Sequence, residues 1–377
     1  MNLDDVVTQV AAAVGLAEGE SGIRDILAAV LTAEPAAVRE VARLAELPVP
    51  IVAAASNELR ARGVLATQRP VQLTPDGRAA VAATAALTLD AAALADLAGP
   101  GGPLQAAADG APGAKTELDQ THCTVPTKLA RVLRLHEARA LAGQRILVLG
   151  DDDLISVSLA HVLASAGRPA AIRRLTVVDT DADVLDWIGG QVAGTGVAVE
   201  RVRHDLREPL PPALAGAFDV VLTDPPYTVA GAQLFLSRAV SGLAPEPGRH
   251  VFFSFGARRP DETLAVQQAM AEMGLVIRSL QPGFNEYVGA GVLAGTSSLY
   301  HLRTAAGASP LVAGRYDGPL YSAANRAAVT RPYRCVRCKA VQDVGPGSQW
   351  PQIAALQAAG CPACGGVVFR PMPLVAR

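Results

Sequence analysis

The sequence predicts an α/β protein. A Rossmann-like core of parallel strands is preceded by a winged-helix unit and followed by a small ribbon built on four cysteines. Three observations carry this. Between residues 145 and 255, short apolar runs alternate with stretches of helical periodicity. Several of those runs end in an acidic residue. Near the C-terminus, Cys335 and Cys338, then Cys361 and Cys364, form two C-x-x-C pairs.

At 377 residues the chain is long enough for two or three domains. Half of the residues are apolar and 4% are aromatic, so the cores must be built from Ala, Leu and Val. The net charge of −2 provides no global basic field toward nucleic acid or an anionic membrane. Asp4 and Asp5 open a segment without the charged and apolar regions of an export signal. No apolar run reaches the ~18 residues of a membrane span. A cytoplasmic protein is expected, in which paired cysteines hold metal rather than form disulfides.

Residues 1–83 read as the winged-helix-like domain. Ile23 to Leu31 is helical; Val38, Val41, Ala42 and Ala45 mark a second helix; Val52 and Leu59 mark a third, after Pro48 and Pro50. Val64–Thr67 and Val71–Thr74 follow as short strands, and Pro75-Asp76-Gly77 starts a further helix. Arg60 and Arg62 could touch DNA, but the segment holds more acidic than basic residues, which favours a docking or dimerisation module. Residues 84–116, rich in Ala, Gly and Pro, read as a linker with at most one weak helix.

Residues 117–305 form the expected catalytic domain. Its strands are Arg145–Gly150, Leu175–Asp179, Val197–His204, Phe218–Asp224 and His250–Phe255. Ligands in such sheets sit outside the carboxyl ends of the strands. Those ends carry Gly150-Asp151-Asp152-Asp153, Asp179, Asp205 and Asp224. Asp179 stands about 30 residues after the first strand-end glycine, where an acidic residue holds ribose hydroxyls. Thr180, Asp181 and Asp183 beside it could cap the next helix. Asp205 suits either the adenine amino group or a turn. Asp224-Pro225-Pro226-Tyr227-Thr228 makes a stiff acceptor wall at a strand end. Its carboxylate and a neighbouring carbonyl can orient an amine, and Tyr227 can stack on or bond to the same substrate.

This wall resembles the signature of amino-group methyltransferases acting on adenine or cytosine. It also resembles the branched-chain polyamine synthase family. The loop Gly150-Asp151-Asp152-Asp153-Leu154 separates the two, since three carboxylates repel the methionine carboxylate of an intact donor and attract an ammonium. Taken together, the two motifs look like the N4-bis(aminopropyl)spermidine synthases. Gln120-Thr121-His122-Cys123-Thr124, with Thr127 and Arg131, is similar to the segment before that family's first strand, and Asn285-Glu286-Tyr287 and Ser297-Ser298-Leu299-Tyr300 match less sharply. The resemblance implies a methyltransferase-type Rossmann-like domain with a winged helix before it. It implies transfer of an aminopropyl group from decarboxylated S-adenosylmethionine to an amine of a polyamine such as spermidine, with release of methylthioadenosine. Carried over by residue, it makes Asp152, Asp153, Asp224 and Tyr227 catalytic, and places Gly150, Asp151, Asp179, Asp205 and Pro225 at the co-substrate. Glu286 is a further acidic candidate. A homodimer is expected, with a polyamine as substrate and no membrane partner.

Residues 306–330 read as a connector and 331–377 as a zinc ribbon. Cys338 and Cys361 are separated by 22 intervening residues, a spacing that suits a tetrahedral four-cysteine site closed to substrate, and therefore a structural zinc. Arg331, Arg334, Arg337, Lys339 and Arg370 stand against Asp343 alone, so the ribbon could meet nucleic acid or an acidic partner, or its arginines could simply be solvated. Cys123 reads as a buried or pocket-lining thiol. Two other functions stay open: amino-group methylation of nucleic acid guided by the winged helix and ribbon, and a regulatory module without catalysis.

Overall fold

The computed structural model describes residues 2–85, 87–288, 295–321, 330–345, 347–351 and 353–372. The N-terminal unit packs five helices: α1 (Leu3–Val14), α2 (Gly19–Ala33), α3 (Val38–Ala45), α4 (Val49–Ala61) and α5 (Pro75–Ala85). Their apolar stripes meet in one cluster that includes Val7, Val10, Ile23, Ile26, Val41, Val52, Leu59 and Val81. The two strands expected at 64–74 shrink to isolated bridges, Leu65 with Leu73 and Ala36 with Val71. Pro70 between them has no N–H for a longer ladder. Arg60 donates to Ala66 O and Asn57 Oδ1, and Arg62 to Glu58 and Gln9, so both arginines of α4 are engaged within their own unit.

The segment expected to be a linker is folded. It forms α6 (Ala91–Ala98), capped by the Asp90 carboxylate, and α7 (Pro103–Asp109). Leu87, Leu94, Leu97, Leu104 and Ala107 are buried in the central core beside Val132 and Leu135 of α8 (Val125–Glu137). The Trp187 indole donates to Ala107 O at 3.0 Å. The Ala-, Gly- and Pro-rich composition hid a leucine stripe, because alanine counts as helix former and filler at once.

The central sheet has seven strands in the order β3-β2-β1-β4-β5-β7-β6. β1 (Arg145–Leu149), β2 (Arg174–Asp179), β3 (Val199–Arg203), β4 (Val220–Thr223) and β5 (His250–Phe255) are parallel, as expected. The last two strands, β6 (Leu275–Glu286) and β7 (Thr296–Thr304), are antiparallel and were not foreseen as strands. β6 is a largely exposed edge with register shifts at 277/279 and 281/285 and Pro282-Gly283 within it, so it lacks a clean period of two. Helices α9 (Ile155–Ser165) and α10 (Ala182–Val192) share one core cluster with α6–α8; α11 (Val229–Gly242) and α12 (Pro260–Glu272) share the other. The strand order reverses between β1 and β4, which opens a crevice at their carboxyl ends.

The connector is strapped to this domain. The Arg238 side chain of α11 is fully buried and donates to four carbonyls: Leu206 at 2.9 Å, Arg207 at 3.1 Å, Val312 at 2.6 Å and Gly314 at 2.7 Å. Thr228 Oγ1 donates to Leu320 O at 3.0 Å. The ribbon follows as β8 (Arg331–Cys335), β9 (Val341–Val344), α13 (Ile353–Ala359) and β10 (Phe369–Pro371), with β8 in the middle of the sheet. Among the described residues no helix is long and apolar enough to cross a membrane.

Leu104 is 1% exposed, so Leu104→Ala should destabilise the central domain by about 2–5 kcal/mol. Urea unfolding followed by the fluorescence of Trp187, which bonds to α7, checks this. An unchanged midpoint would mean that residues 87–111 are not part of the core.

Candidate active site

The crevice is built from the ends of β1 and β4 and the start of α8. After β1 the chain turns at Gly150, whose φ of 72° suits glycine. The Asp151 N–H then donates to Asp179 Oδ2 at 2.9 Å, tying the first strand end to the second. The Asp151 carboxylate, expected at the co-substrate, is taken up elsewhere. It accepts from Ile155 N at 2.7 Å, Ser156 N at 3.1 Å and the Ser156 hydroxyl. It serves α9 as a cap because the residue next to that helix, Leu154, has no side-chain acceptor. Burial pushes its carboxyl up to about 7.

The next two aspartates have different surroundings. Asp152 Oδ2 accepts from Thr121 N at 2.9 Å, and the side chain is partly exposed. Burial, then the charges of Asp153, Asp224 and Asp179, raise its carboxyl well above the usual range. Asp153 is buried, and its Oδ1 accepts from Cys123 N at 2.5 Å. Burial disfavours its ionisation, but Arg131 and Lys128 outweigh it and hold the carboxyl low.

Arg131 of α8 organises the site. It was noted in the sequence only as part of a resembling segment. Its buried guanidinium donates to Asp153 Oδ2 at 2.8 Å, Asp224 Oδ2 at 2.9 Å, Asn285 Oδ1 at 2.7 Å and the Tyr287 hydroxyl at 3.1 Å. Lys128, one helical turn earlier, donates to Asp153 O at 2.6 Å. The helical spacing of Lys128 and Arg131 in an otherwise apolar, buried stripe was the available signal.

On the opposite wall, Asp224 Oδ2 accepts from Tyr287 at 2.5 Å as well as from Arg131. Burial pushes its carboxyl up to about 7, Arg131 offsetting part of the effect. Among the described residues no donor is bonded to Oδ1. Pro225 and Pro226 are buried and fix the chain behind it. The Tyr227 hydroxyl donates to Tyr287 at 2.7 Å, and Tyr287 also bonds to Ser297 Oγ at 2.9 Å. Asn285 Nδ2 donates to Ser297 Oγ at 2.8 Å. The unforeseen antiparallel strands thus supply one side of the site. Burial, then the charge of Asp224, lifts both tyrosine hydroxyls well above their ordinary range, so they remain neutral donors.

The two remaining acidic candidates lie toward β2 and β3. Asp179 is 6% exposed and accepts from Asp151 N and from Asp181 N at 2.8 Å. Asp181, not Asp179, caps α10 through Asp183 N at 3.0 Å. Asp205 is half-exposed and closes a turn with Arg207, whose guanidinium reaches it at 2.6 Å and whose N–H reaches it at 3.0 Å. The Glu286 side chain is exposed; only its backbone joins the site, through Thr124 N and Thr127 Oγ1. Cys123 is 1% exposed, and burial pushes its thiol far above the range of a reactive cysteine. Its neighbour His122 points its ring nitrogens at Asp152 O and Pro112 O instead.

The ribbon cysteines form a separate cluster. Their four sulfurs lie within 4.8 Å of one another, with Cys335–Cys364 and Cys338–Cys361 each 3.6 Å apart. Tetrahedral zinc thiolates need sulfurs roughly 3.8 Å apart, so the donor set fits. A Cβ on Gly366 would lie 3.3 Å from both Cys335 Sγ and Cys364 Sγ, which is why glycine stands there.

Comparison with known proteins agrees with this geometry. Residues 104–305 match the family model of the branched-chain polyamine synthase A C-terminal domain. An uncharacterised protein of Methanocaldococcus jannaschii is 30% identical over 97% of this chain and 92% of its own length. The N(4)-bis(aminopropyl)spermidine synthase of Thermococcus kodakarensis is 34% identical over 46% of this chain, a match that spans 49% of that enzyme. A crystal structure of the Thermus thermophilus branched-chain polyamine synthase, in complex with N4-aminopropylspermidine and 5′-methylthioadenosine, superposes with a TM-score of 0.52 at 27% identity; it covers 85% of this chain and 98% of that one. With more than half of its length matched by the family model, the chain belongs to the branched-chain polyamine synthase family.

Proposed function

We propose that the protein is an aminopropyltransferase, which moves an aminopropyl group from decarboxylated S-adenosylmethionine to an amine of a polyamine such as spermidine and releases methylthioadenosine. One observation carries the reading. Asp152, Asp153 and Asp224 surround the β1–β4 crevice, and both cations beside them, Arg131 and Lys128, are already engaged. Among the described residues the crevice therefore offers an ammonium the open oxygens of Asp152 and Asp224, with the buried charge of Asp153 behind them, and offers a methionine carboxylate no free cation. The names of the related synthases and the ligands of the Thermus structure agree with it.

In this reading Asp179 holds the ribose hydroxyls, and Asp205, Gly150 and Pro225 border the adenosyl group. Asp152 has one oxygen without a protein donor and takes an ammonium of the aminopropyl group or of the polyamine. Asp153 is held ionised by Arg131 and sets the electrostatics beneath it. The acceptor nitrogen attacks the aminopropyl carbon attached to sulfur. An N–C bond forms, the C–S bond breaks, and the electron pair leaves with methylthioadenosine. The nitrogen's proton passes to Asp224 Oδ1, the oxygen that Arg131 and Tyr287 leave open. A free amine titrates near pH ~10, so a positioned acceptor with a carboxyl close to neutrality matches the task. Tyr227 braces Tyr287 and lines the amine's path. The ribbon cysteines Cys335, Cys338, Cys361 and Cys364 would hold a structural zinc that ties the two knuckles together, and with four protein thiolates supplied the site would take no part in the transfer.

Calorimetry should show the decarboxylated donor, or methylthioadenosine, binding at least as well as S-adenosylmethionine. A clear preference for the intact donor would instead assign methyl transfer to the same site.

The Asp224 carboxyl is raised to about 7 and must be ionised to accept a proton. Hence kcat/KM for the polyamine should rise with pH through about 7, and Asp224→Asn should lower turnover by ~10²–10⁴ while leaving methylthioadenosine binding in place. Turnover that survives the substitution at saturating polyamine would exclude Asp224 from the proton transfer.

Metal analysis should find a single zinc per chain, lost in a Cys361→Ser/Cys364→Ser variant that still binds methylthioadenosine. Protein purified under reducing conditions without zinc would refute the ribbon assignment.

A further inference from the structure

Three consecutive residues before α8 grip the acidic loop that follows β1. Thr121 N donates to Asp152 Oδ2 at 2.9 Å, the His122 ring meets the Asp152 carbonyl, and Cys123 N donates to Asp153 Oδ1 at 2.5 Å. Their segment is itself held from outside. Lys115 pairs with Asp181 at 2.6 Å and with Asp183 at 2.7 Å, Gln120 Nε2 donates to Asp181 Oδ2 at 3.0 Å, and Val288 N donates to His122 O at 2.9 Å.

The two contacts of the His122 ring fix its charge. Nδ1 is 2.6 Å from Asp152 O, and Nε2 is 2.8 Å from Pro112 O. Both partners are carbonyl oxygens, which only accept. A neutral imidazole has one N–H and one lone pair, so one of the two contacts would set lone pair against lone pair. Only the imidazolium donates to both, and the distances are the short ones of charge-assisted bonds. Elsewhere in the chain this requirement does not arise. His161 and His204 each reach a single carbonyl, of Gln191 and Pro209, and His250 and His301 face each other at 3.0 Å. The charged groups next to the His122 ring are the carboxylates of Asp152 and Asp153 on the loop after β1. Lys115 on its own segment is engaged by Asp181 and Asp183, Lys128 of α8 by Asp153 O, and Tyr287, the residue that bridges to Cys123, brings a neutral hydroxyl.

We propose that His122 is a charged clasp: an imidazolium that bridges Asp152 O and Pro112 O and so sets the Asp152 carboxylate where it receives an ammonium of the polyamine. This rests on the aminopropyl reading of the crevice. His122 is a positioning residue, because both of its ring nitrogens are bonded to backbone. Asp152 is thereby held at two points, its carbonyl by His122 and Oδ2 by Thr121 N, which leaves Oδ1 for the ligand. A ring that loses a proton gives up one of its two bonds, and the tie between the acidic loop and residue 112 opens.

Nitrogen NMR of the full-length protein, labelled at its six histidines, reads the clasp directly. The His122 signal, assigned by its loss in His122→Gln, should show both ring nitrogens protonated at neutral pH. In calorimetry with methylthioadenosine present, spermidine should bind His122→Gln about tenfold more weakly than the wild type, the effect of losing one charge-assisted bond. Methylthioadenosine alone should bind both proteins equally. Wild-type affinity for spermidine should fall as the NMR titration removes the ring proton, and the variant should lack that step. If His122→Gln does not fold, His122→Asn serves for both measurements. A ring nitrogen without its proton at neutral pH overturns the proposal, and so does an unchanged affinity for spermidine in the variant. An equal loss of methylthioadenosine binding overturns the positioning role, since His122 would then only support the fold. If the wild type binds no spermidine at any pH, the aminopropyl reading fails, and the NMR signal alone decides the clasp.

Discussion

The Arg131 guanidinium is the constraint on which the active site depends. It joins α8 to the end of β1 through Asp153, to the end of β4 through Asp224, and to β6 and the residue after it through Asn285 and Tyr287. These elements lie up to 156 residues apart in sequence and meet at one planar group. Burying a charge is unfavourable unless it is paired and fully hydrogen-bonded, and here nearly every guanidinium donor direction has an acceptor. Removing one partner would leave the others charged and unpaired in a low dielectric. The neighbouring ends of β1 and β4 are therefore tied together by the same interaction that lets two acidic loops face each other across the crevice.

Given that anchor, similar carboxyl groups acquire different tasks from their surroundings. Asp151 is inside the fold and caps a helix. Asp153 touches two cations and stays ionised. Asp224 shares one cation with Asp153, loses more solvation than it regains, and titrates near 7. Asp152 has a backbone N–H but no cation of its own, so it is the group whose charge a ligand must complete. The order of the loop matters for this reason. A cap, a ligand-facing acid and a buried counter-ion follow one another at alternating orientations after Gly150.

Much of this was legible in the sequence because it is local. The parallel strands announce themselves as apolar runs, and their acidic ends follow from where open sheets bind ligands. The two C-x-x-C pairs state the ribbon by spacing alone. What could not be read is non-local or compositional. The roles of Asp151 and Asp205 depend on whether a nearby donor reaches them first: Ser156 and Ile155 for one, Arg207 for the other. Arg131 looks like any helix arginine until three separate segments converge on it. β6 breaks its alternation with bulges and with Pro282-Gly283, and Leu94, Leu97 and Leu104 were masked by surrounding alanine.

The raised carboxyls also link stability to ligand. A group whose folded pKa lies above its unfolded value binds its proton more tightly in the folded state. Its stabilisation is therefore present at low pH and lost as pH rises from the unfolded to the folded value. Asp151 and Asp224, each pushed from about 4 to about 7, place that loss between roughly pH 4 and 7, and the raised carboxyl of Asp152 contributes in the same direction. At neutral pH the free crevice is thus held together against its own charge, with Arg131 and Lys128 compensating part of it. In the proposed reaction an ammonium bound beside Asp152 would lower the repulsion, draw protons off the cluster and favour the ionised Asp224 that proton acceptance needs. On that proposal, binding a cationic substrate and preparing the acceptor carboxylate would be one electrostatic event. This is why the acids are gathered around a single buried arginine rather than each neutralised by its own.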